Sequence, residues 1–199
     1  MSEKVKIIFA SRNPGKVREV TALFKDTNFI IKSLLDFNNI PEIIEDGKTF
    51  EENALLKAKI VFEQFRCPVI ADDSGLEVEQ IKNEPGVYSA RYAGGKCSYY
   101  DNNVKLLYEL QFYDEPHFAK FVCYAIYYSG DKRIDAKGEL IGRIINEFRG
   151  DNGFGYDPIF IPEGYGLTLA ELTLLEKNKI SHRAKAFNEL KLKMLETIK

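Results

Sequence analysis

The chain has 199 residues, long enough for one large domain or two small lobes to bury a core without disulfide or metal staples. Its 28 Lys and Arg nearly balance its 30 Asp and Glu, leaving a net charge of −2. With an isoelectric point near 5.8, that excludes a global basic footprint for nucleic acid and confines any phosphate chemistry to a local cluster. Cys67, Cys97 and Cys123 are odd in number and lack Cys-x-x-Cys spacing, so they read as free thiols of a reducing compartment. No signal-like apolar run follows Met1-Ser2-Glu3-Lys4 and no segment approaches a membrane span, so a cytoplasmic protein off the membrane is expected.

Val5 to Ala10 is an apolar run broken only by Lys6, followed by Ser11-Arg12-Asn13-Pro14-Gly15-Lys16 and an amphipathic stretch with Val17, Val20, Leu23 and Phe24. This is strand, loop and helix, with Asn13 as N-cap and Pro14 in the first turn. A helix start of this kind can hold a phosphate. A strand is expected over Phe29 to Lys32, and Leu34 to Gly47 looks irregular. Thr49-Phe50-Glu51-Glu52 forms a capping box, opening a helix with Ala54, Leu55, Ala58, Val61, Phe62 and Phe65 at helical spacing. Val69-Ile70-Ala71 reads as a strand that ends at Asp72-Asp73-Ser74-Gly75. The alternation of strand and helix argues for an α/β fold.

Asp101 to Phe112 reads as a helix, and Phe118 to Tyr128 with Arg133 to Arg143 as the arms of a β-hairpin. Gly150 to Gly155 is glycine-rich, Ile159-Phe160-Ile161 is a short strand, and the tail from Ser181 places Phe187, Leu190, Met194 and Ile198 on one helical face. With no repeat or linker, residues 1–199 are expected to form one mixed α/β domain, with two lobes around a cleft.

Asp72-Asp73 is the most telling local feature, because two adjacent carboxylates are buried cheaply only beside a cation or positive partners. Mg²⁺ suits such a pair, and Glu45, Glu51 or Glu52 are available to complete its oxygen ligands. The competing reading is an ordinary Asp-Ser-Gly turn. Lys16, Lys57, Arg91, Lys177, His182 and Arg183 are each solvated surface charges if taken singly, but with the carboxylates they make a set that suits a metal triphosphate. Asn13-Pro14-Gly15-Lys16 is not a Walker A loop, and Gly150 to Gly155 is not a dinucleotide fingerprint. The second is better read as a loop presenting Phe154 and Tyr156, either to a base or to the core. His117 is an isolated loop histidine, and nucleophilic Ser or Cys catalysis has no positive support. Residues alone lead as far as a metal-assisted phosphate enzyme.

Ser11 to Lys16, Thr49 to Ala54, Ala71 to Leu76, Pro85 to Tyr92, Gly153 to Pro158 and Ile180 to Arg183, in that order and spacing, resemble the inosine triphosphate pyrophosphatase family. The resemblance covers nearly the whole chain. It implies a mixed α/β fold with a long central sheet flanked by helices, two lobes about an active-site cleft, and a homodimer. It also implies Mg²⁺-dependent hydrolysis of ITP, dITP and XTP to monophosphate and pyrophosphate, which clears deaminated purines from the nucleotide pool. Carried over by position, Ser11, Arg12, Asn13, Pro14, Gly15 and Lys16 form a phosphate-gripping loop, with Lys16 and Lys57 neutralising the triphosphate. Glu45 and Asp73 hold Mg²⁺, Asp73 is also the proton acceptor, Asp72 supports it, and Ser74 touches substrate. Phe154 stacks on the base, while Gly155, Tyr156, Asp157, Lys177, His182 and Arg183 line the pocket for its edge. Two departures stand out: Arg12 where many relatives have Gly, and Asp151-Asn152 where Thr-Gly is usual. Rival expectations are a pyrophosphatase of other modified nucleotides, a catalytically silent nucleotide-binding regulator, and an RNA-binding protein, the last disfavoured by the acidic composition.

Overall fold

The computed structural model describes residues 4–38, 40 and 43–198. The Met1-Ser2-Glu3 start and part of the segment read as irregular lie outside the described residues. In chain order come β1 (Val5–Phe9), α1 (Pro14–Leu23), β2 (Phe29–Ser33), α2 (Phe50–Phe65), β3 (Val69–Val78), β4 (Glu84–Pro85), α3 (Tyr99–Leu110), β5 (His117–Tyr128), β6 (Arg133–Ile144), β7 (Phe160–Pro162), α4 (Leu174–Ile180) and α5 (His182–Thr197). The sheet order is β2-β1-β3-β5-β6-β7, with β4 paired to β3. β1 runs parallel to β2 in the register Val5↔Phe29 to Phe9↔Ser33, and parallel to β3 at Ile8↔Val69 and Phe9↔Ile70. The short β4 is antiparallel to β3, and β7 is antiparallel to β6.

The chain divides into two compact units, and β3, β5 and β6 each contribute residues to both. The first contains residues 1–73, 123–138 and 183–199. Its core follows from the two-residue period of its strands. On one face of β1, Ile7 and Phe9 pack with Ile70, Val20 and Phe24 of the α1 side, and with Phe187, Leu190 and Met194 of α5. On the other, Ile8 and Ala10 pack with Val69, Ala71 and the α2 residues Ala54, Ala58 and Val61. The second unit contains residues 74–122 and 139–182. Its core joins Leu76 and Val78 of β3, Leu106 and Leu110 of α3, Phe121 of β5, Leu140 and Ile144 of β6, and Phe160 of β7.

The local signals read from sequence correspond to real caps. Asn13 accepts from the backbone N–H groups of Gly15 and Lys16, and Thr49 with Glu52 closes a reciprocal capping box on α2. The hairpin is also as expected, turning through Ser129 N–H donating to the Lys132 carbonyl at 3.0 Å.

Two expectations need correction. β3 does not stop at Ala71; it continues as strand through Asp72, Asp73, Ser74 and Gly75 to Val78. The turn-like composition is overridden because β4 pairs with its far end and buried cations compensate its carboxylates. The expected helix over Asp101 to Phe112 begins two residues earlier, at Tyr99, because Ser98 and Asp101 make a capping box. A short helix not anticipated, α4, starts at another such box, Thr173 with Glu176. Among the described residues no helix is long and apolar enough to cross a membrane.

Phe187 anchors the first core, meeting Phe9 at 5.7 Å and Phe24 at 6.3 Å between ring centroids, both edge to face. Its side chain is fully buried, so Phe187→Ala is expected to cost about 3–5 kcal/mol. Urea unfolding followed by circular dichroism checks this; a loss below ~1 kcal/mol would mean that the core collapses into the space.

Candidate functional site

The alternation of β3 decides where its two aspartates go. Residues 70 and 72 share one face and 71 and 73 the other, so adjacent carboxylates face different helices. In the first unit, Asp72 Oδ2 accepts from Lys16 Nζ of α1 at 2.9 Å and from Arg183 Nε of α5 at 3.3 Å. Arg183 also donates from a terminal nitrogen to Glu19 at 2.7 Å. All but Lys16 are almost completely buried. Burial pushes the Asp72 carboxyl up, but Lys16, Arg183 and Lys57 outweigh it and hold it far below the usual range. Burial likewise opposes the Arg183 charge, and Glu19 and Asp72 more than restore it. Cys123 lies 3.8 Å from Asp72 Oδ2, and burial, reinforced by that carboxylate, keeps its thiol protonated. Asp72 Oδ1 is buried with no hydrogen-bond partner among the described residues.

On the opposite face, Asp73 Oδ2 accepts from Asn53 Nδ2 at 3.0 Å, and Oδ1 lies 3.4 Å from Lys57 Nζ. Lys57 also donates to Glu45 Oε2 at 2.8 Å. Asn53 and Lys57 are four residues apart on α2, so one helical face delivers both groups. Burial disfavours the Lys57 charge, yet Asp73, Glu45 and Asp72 raise its pKa above the ordinary lysine value. Burial, assisted by Glu45, raises Asp73 above the ordinary aspartate value although Lys57 and Lys16 pull the other way. The two aspartates are thus differentiated: Asp72 is a fixed anion, and Asp73 a carboxylate with increased affinity for a proton.

The Ser11 to Lys16 loop is tightly self-bonded. Asn13 N–H donates to Ser11 Oγ at 3.2 Å, and Asn13 Oδ1 already engages the Gly15 and Lys16 amides. Pro14 brings no N–H, so the group this helix start most readily offers an anion is the Lys16 ammonium. Arg12 turns to the Ile40 carbonyl at 2.6 Å, which ties the loop to the irregular segment.

In the second unit, Asp157 organises the glycine loop. Its Oδ2 accepts from the Phe154 N–H at 2.8 Å and from Lys177 Nζ at 2.5 Å, with both charged side chains buried. Lys177 Nζ also stands 4.8 Å from the Phe154 ring centroid, a cation–π placement. Gly153 has φ +76°, and a Cβ there would sit 2.0 Å from Asp157 Oδ2, so the close approach requires glycine. Tyr156 donates to the Ser89 carbonyl at 3.0 Å. Asp151 and Asn152, the second departure, are exposed, and Asn152 N–H bonds the Ala170 carbonyl. His182 is buried and stacks on Phe121, centroids 4.7 Å apart and planes 8° from parallel. Ser74 is half-buried, next to Asp73 in β3.

The first unit therefore assembles Ser11 to Lys16, Glu45, Lys57, Asp72, Asp73 and Arg183, and the second Phe154, Gly155, Tyr156, Asp157, Lys177 and His182. Arg183, grouped with the base-reading residues from sequence, is instead buried against Asp72 and Glu19. Arg91 faces the Tyr88 ring at 5.2 Å, and the Pro85 to Tyr92 fragment supports the second unit, Ser89 accepting from Leu76 N–H and donating to the Gly86 carbonyl. Glu19 and Asn53 were missed. The available signal was helical spacing, Glu19 lying three residues after Lys16 and Asn53 four before Lys57.

A mixed α/β protein with this sheet and these helices has solved counterparts. A HAM1 protein from Coxiella burnetii superposes with a TM-score of 0.87 at 37% identity over 96% of this chain and 99% of that one. The Staphylococcus aureus Ham1 protein superposes with a TM-score of 0.84 at 39% identity over 98% and 100%. The chain belongs to the Ham1 family, whose model matches residues 7–193. Among curated relatives, proteins named dITP/XTP pyrophosphatase are 47% identical in Geobacter sulfurreducens over 94% of both chains, and 47% in Bacillus licheniformis over 92% of this chain and 95% of that one.

The depressed Asp72 gives a pH prediction. Its ion pairs contribute stability that is fully present above the ordinary aspartate range and is lost as pH falls through the lower folded value. Arg183→Ala strands Glu19 and Asp72, and is expected to cost about 3–5 kcal/mol at pH 7. It should also flatten the acid decline in stability, measured as the urea midpoint from about pH 2 to 6. An unchanged acid limb would assign that decline to other carboxylates.

Proposed function

We propose that this chain hydrolyses dITP, XTP and ITP at the α–β phosphoanhydride, releasing the nucleoside monophosphate and pyrophosphate, and so removes deaminated purines from the nucleotide pool. The observation that carries the reading is the arrangement at Asp72-Asp73, one carboxylate paired with Lys16 and Arg183 and the next flanked by Lys57, which also pairs with Glu45. The names of the relatives, matched along almost their whole length, favour the same reaction. A cytoplasmic homodimer is part of the proposal.

Glu45 and Asp73 fit Mg²⁺: both present carboxylate oxygens to the same ammonium, at 2.8 and 3.4 Å, and hard oxygen donors few in number suit a cation that keeps water and takes phosphate oxygens. Among the described residues no larger group of metal-ligating side chains is gathered. When bound there, Mg²⁺ supplies charge neutralisation and Lewis acidity toward the phosphate oxygens. Asp73 is the carboxylate placed to accept the proton of the attacking water. Asn53 and Lys57 orient its two oxygens, and Lys16 and Lys57 offset charge on the phosphates. Lys177, bonded to Asp157 and beside Phe154, presents a donor suited to a 6-oxo purine.

Pyrophosphate release from dITP, XTP, ITP, GTP and ATP, with Mg²⁺ and with excess EDTA, tests the reading. Chelation is expected to abolish turnover and Mg²⁺ to restore it; full activity in EDTA would remove the metal from the mechanism. Asp73→Asn should lower kcat by roughly 10²-fold or more. ATP, whose 6-amino group sets donor against donor, should be disfavoured by up to ~10⁴-fold in kcat/KM. Comparable turnover of ATP and XTP would refute the assignment of a 6-oxo reader.

A further inference from the structure

We propose that Asn103 is the positioning residue of the Phe154 loop, and that base affinity and selectivity depend on it; the catalytic part of this inference rests on the function proposed above. Asn103 lies in the first turns of α3 and is almost fully buried. Its Nδ2 donates twice, to the Tyr99 carbonyl of its own helix at 2.6 Å and to the Gly155 carbonyl at 2.9 Å. Both neighbours are carbonyl oxygens, so the amide orientation is forced: nitrogen faces them and Oδ1 turns away. That oxygen is buried without a partner among the described residues.

An amide that leaves its own oxygen unsatisfied is a poor core-filler beside leucine. The donor bonds distinguish it, and the one to Gly155 leaves the helix and holds the loop. Gly155 has φ +65° and open space where a Cβ would stand. It has no side chain with which to pack, so its carbonyl is a handle for fixing this peptide. The neighbouring residues are fixed by other means, Phe154 through its N–H to Asp157 and Tyr156 through its hydroxyl to Ser89. Tyr99, one turn before Asn103 on the same face of α3, supports the loop a second time, since its ring lies 6.0 Å from the Phe154 ring, tilted by 40°. The start of α3 is therefore a strut for the aromatic platform, with Tyr99 on the ring and Asn103 on the Gly155 carbonyl. A stacking ring and loop amides recognise a base only if their geometry is held beforehand.

The test uses the full chain and its lack of tryptophan. Phe154→Trp places a single indole on the platform, and Asn103→Leu or Asn103→Asp is added to it; the aspartate sets oxygen against the two carbonyls. Asn103→Ala brings no bulk and serves where leucine lowers Tm. The expected result is red-shifted, more quenchable indole emission in each Asn103 variant. In the Phe154 background, KM for XTP and dITP should rise about tenfold, the loss of one buried hydrogen bond, while ATP turnover barely changes. Inhibition by tripolyphosphate, which has no base, should stay unchanged. Indole emission identical to the parent overturns the proposal, as does an equal fall for XTP, ATP and tripolyphosphate. If the parent enzyme releases no pyrophosphate from XTP or dITP, the proposed reaction fails, and the indole emission still decides the role of Asn103.

Discussion

Everything in the first unit depends on how two neighbouring carboxylates are buried in one strand. A strand turns consecutive side chains to opposite faces, so the charge of Asp72 and Asp73 is shared between two layers of helices. Lys16 and Arg183 meet Asp72 from α1 and α5; Asn53 and Lys57 meet Asp73 from α2. α1 and α2 therefore each carry more than one buried or half-buried polar residue, Lys16 with Glu19 and Asn53 with Lys57, and α5 carries Arg183. Removing any partner leaves a buried charge behind, which is far more costly than the pair itself is stabilising. The same geometry makes the two acids chemically unequal, because one is surrounded by cations while the other also feels Glu45.

The second unit works by a different logic. Its loop carries three glycines at positive φ, Gly150, Gly153 and Gly155, and is held by the side chains of Asp157 and Asn103 on its backbone and by the Tyr156 hydroxyl on the Ser89 carbonyl. Lys177 and Asp157 neutralise one another beside the Phe154 ring, so the charges next to the loop are balanced within the unit.

Much of this was legible in the sequence because it is local. Asn13 with Pro14 and Thr49 with Glu52 announce helix starts through groups a few residues apart, and these helices lie where expected. The box at Thr173 and Glu176 has the same form, and α4 was missed only because seven residues give little periodicity to support it. What local reasoning could not see was compensation at a distance. Asp72-Asp73-Ser74-Gly75 looks like a turn until Lys16 and Arg183, 56 and 111 residues away from Asp72, are brought against it. Glu19 went unread for the same reason, and Arg183 was placed with the base-side residues only through the resemblance, in the fragment Ile180 to Arg183.

The contrast between Gly153 and its two predecessors says where this loop is free to drift. Asp151 and Asn152 face solvent, and Asn152 is tied down through its backbone, a bond that any residue but proline can make. Gly153, one step later, is pressed against the Asp157 carboxylate so closely that no side chain fits. Chemical variety is thus admitted up to the threshold of the platform and refused at it. Descendants of this chain can recolour the approach to the loop, in charge and in bulk, without disturbing the ring that follows.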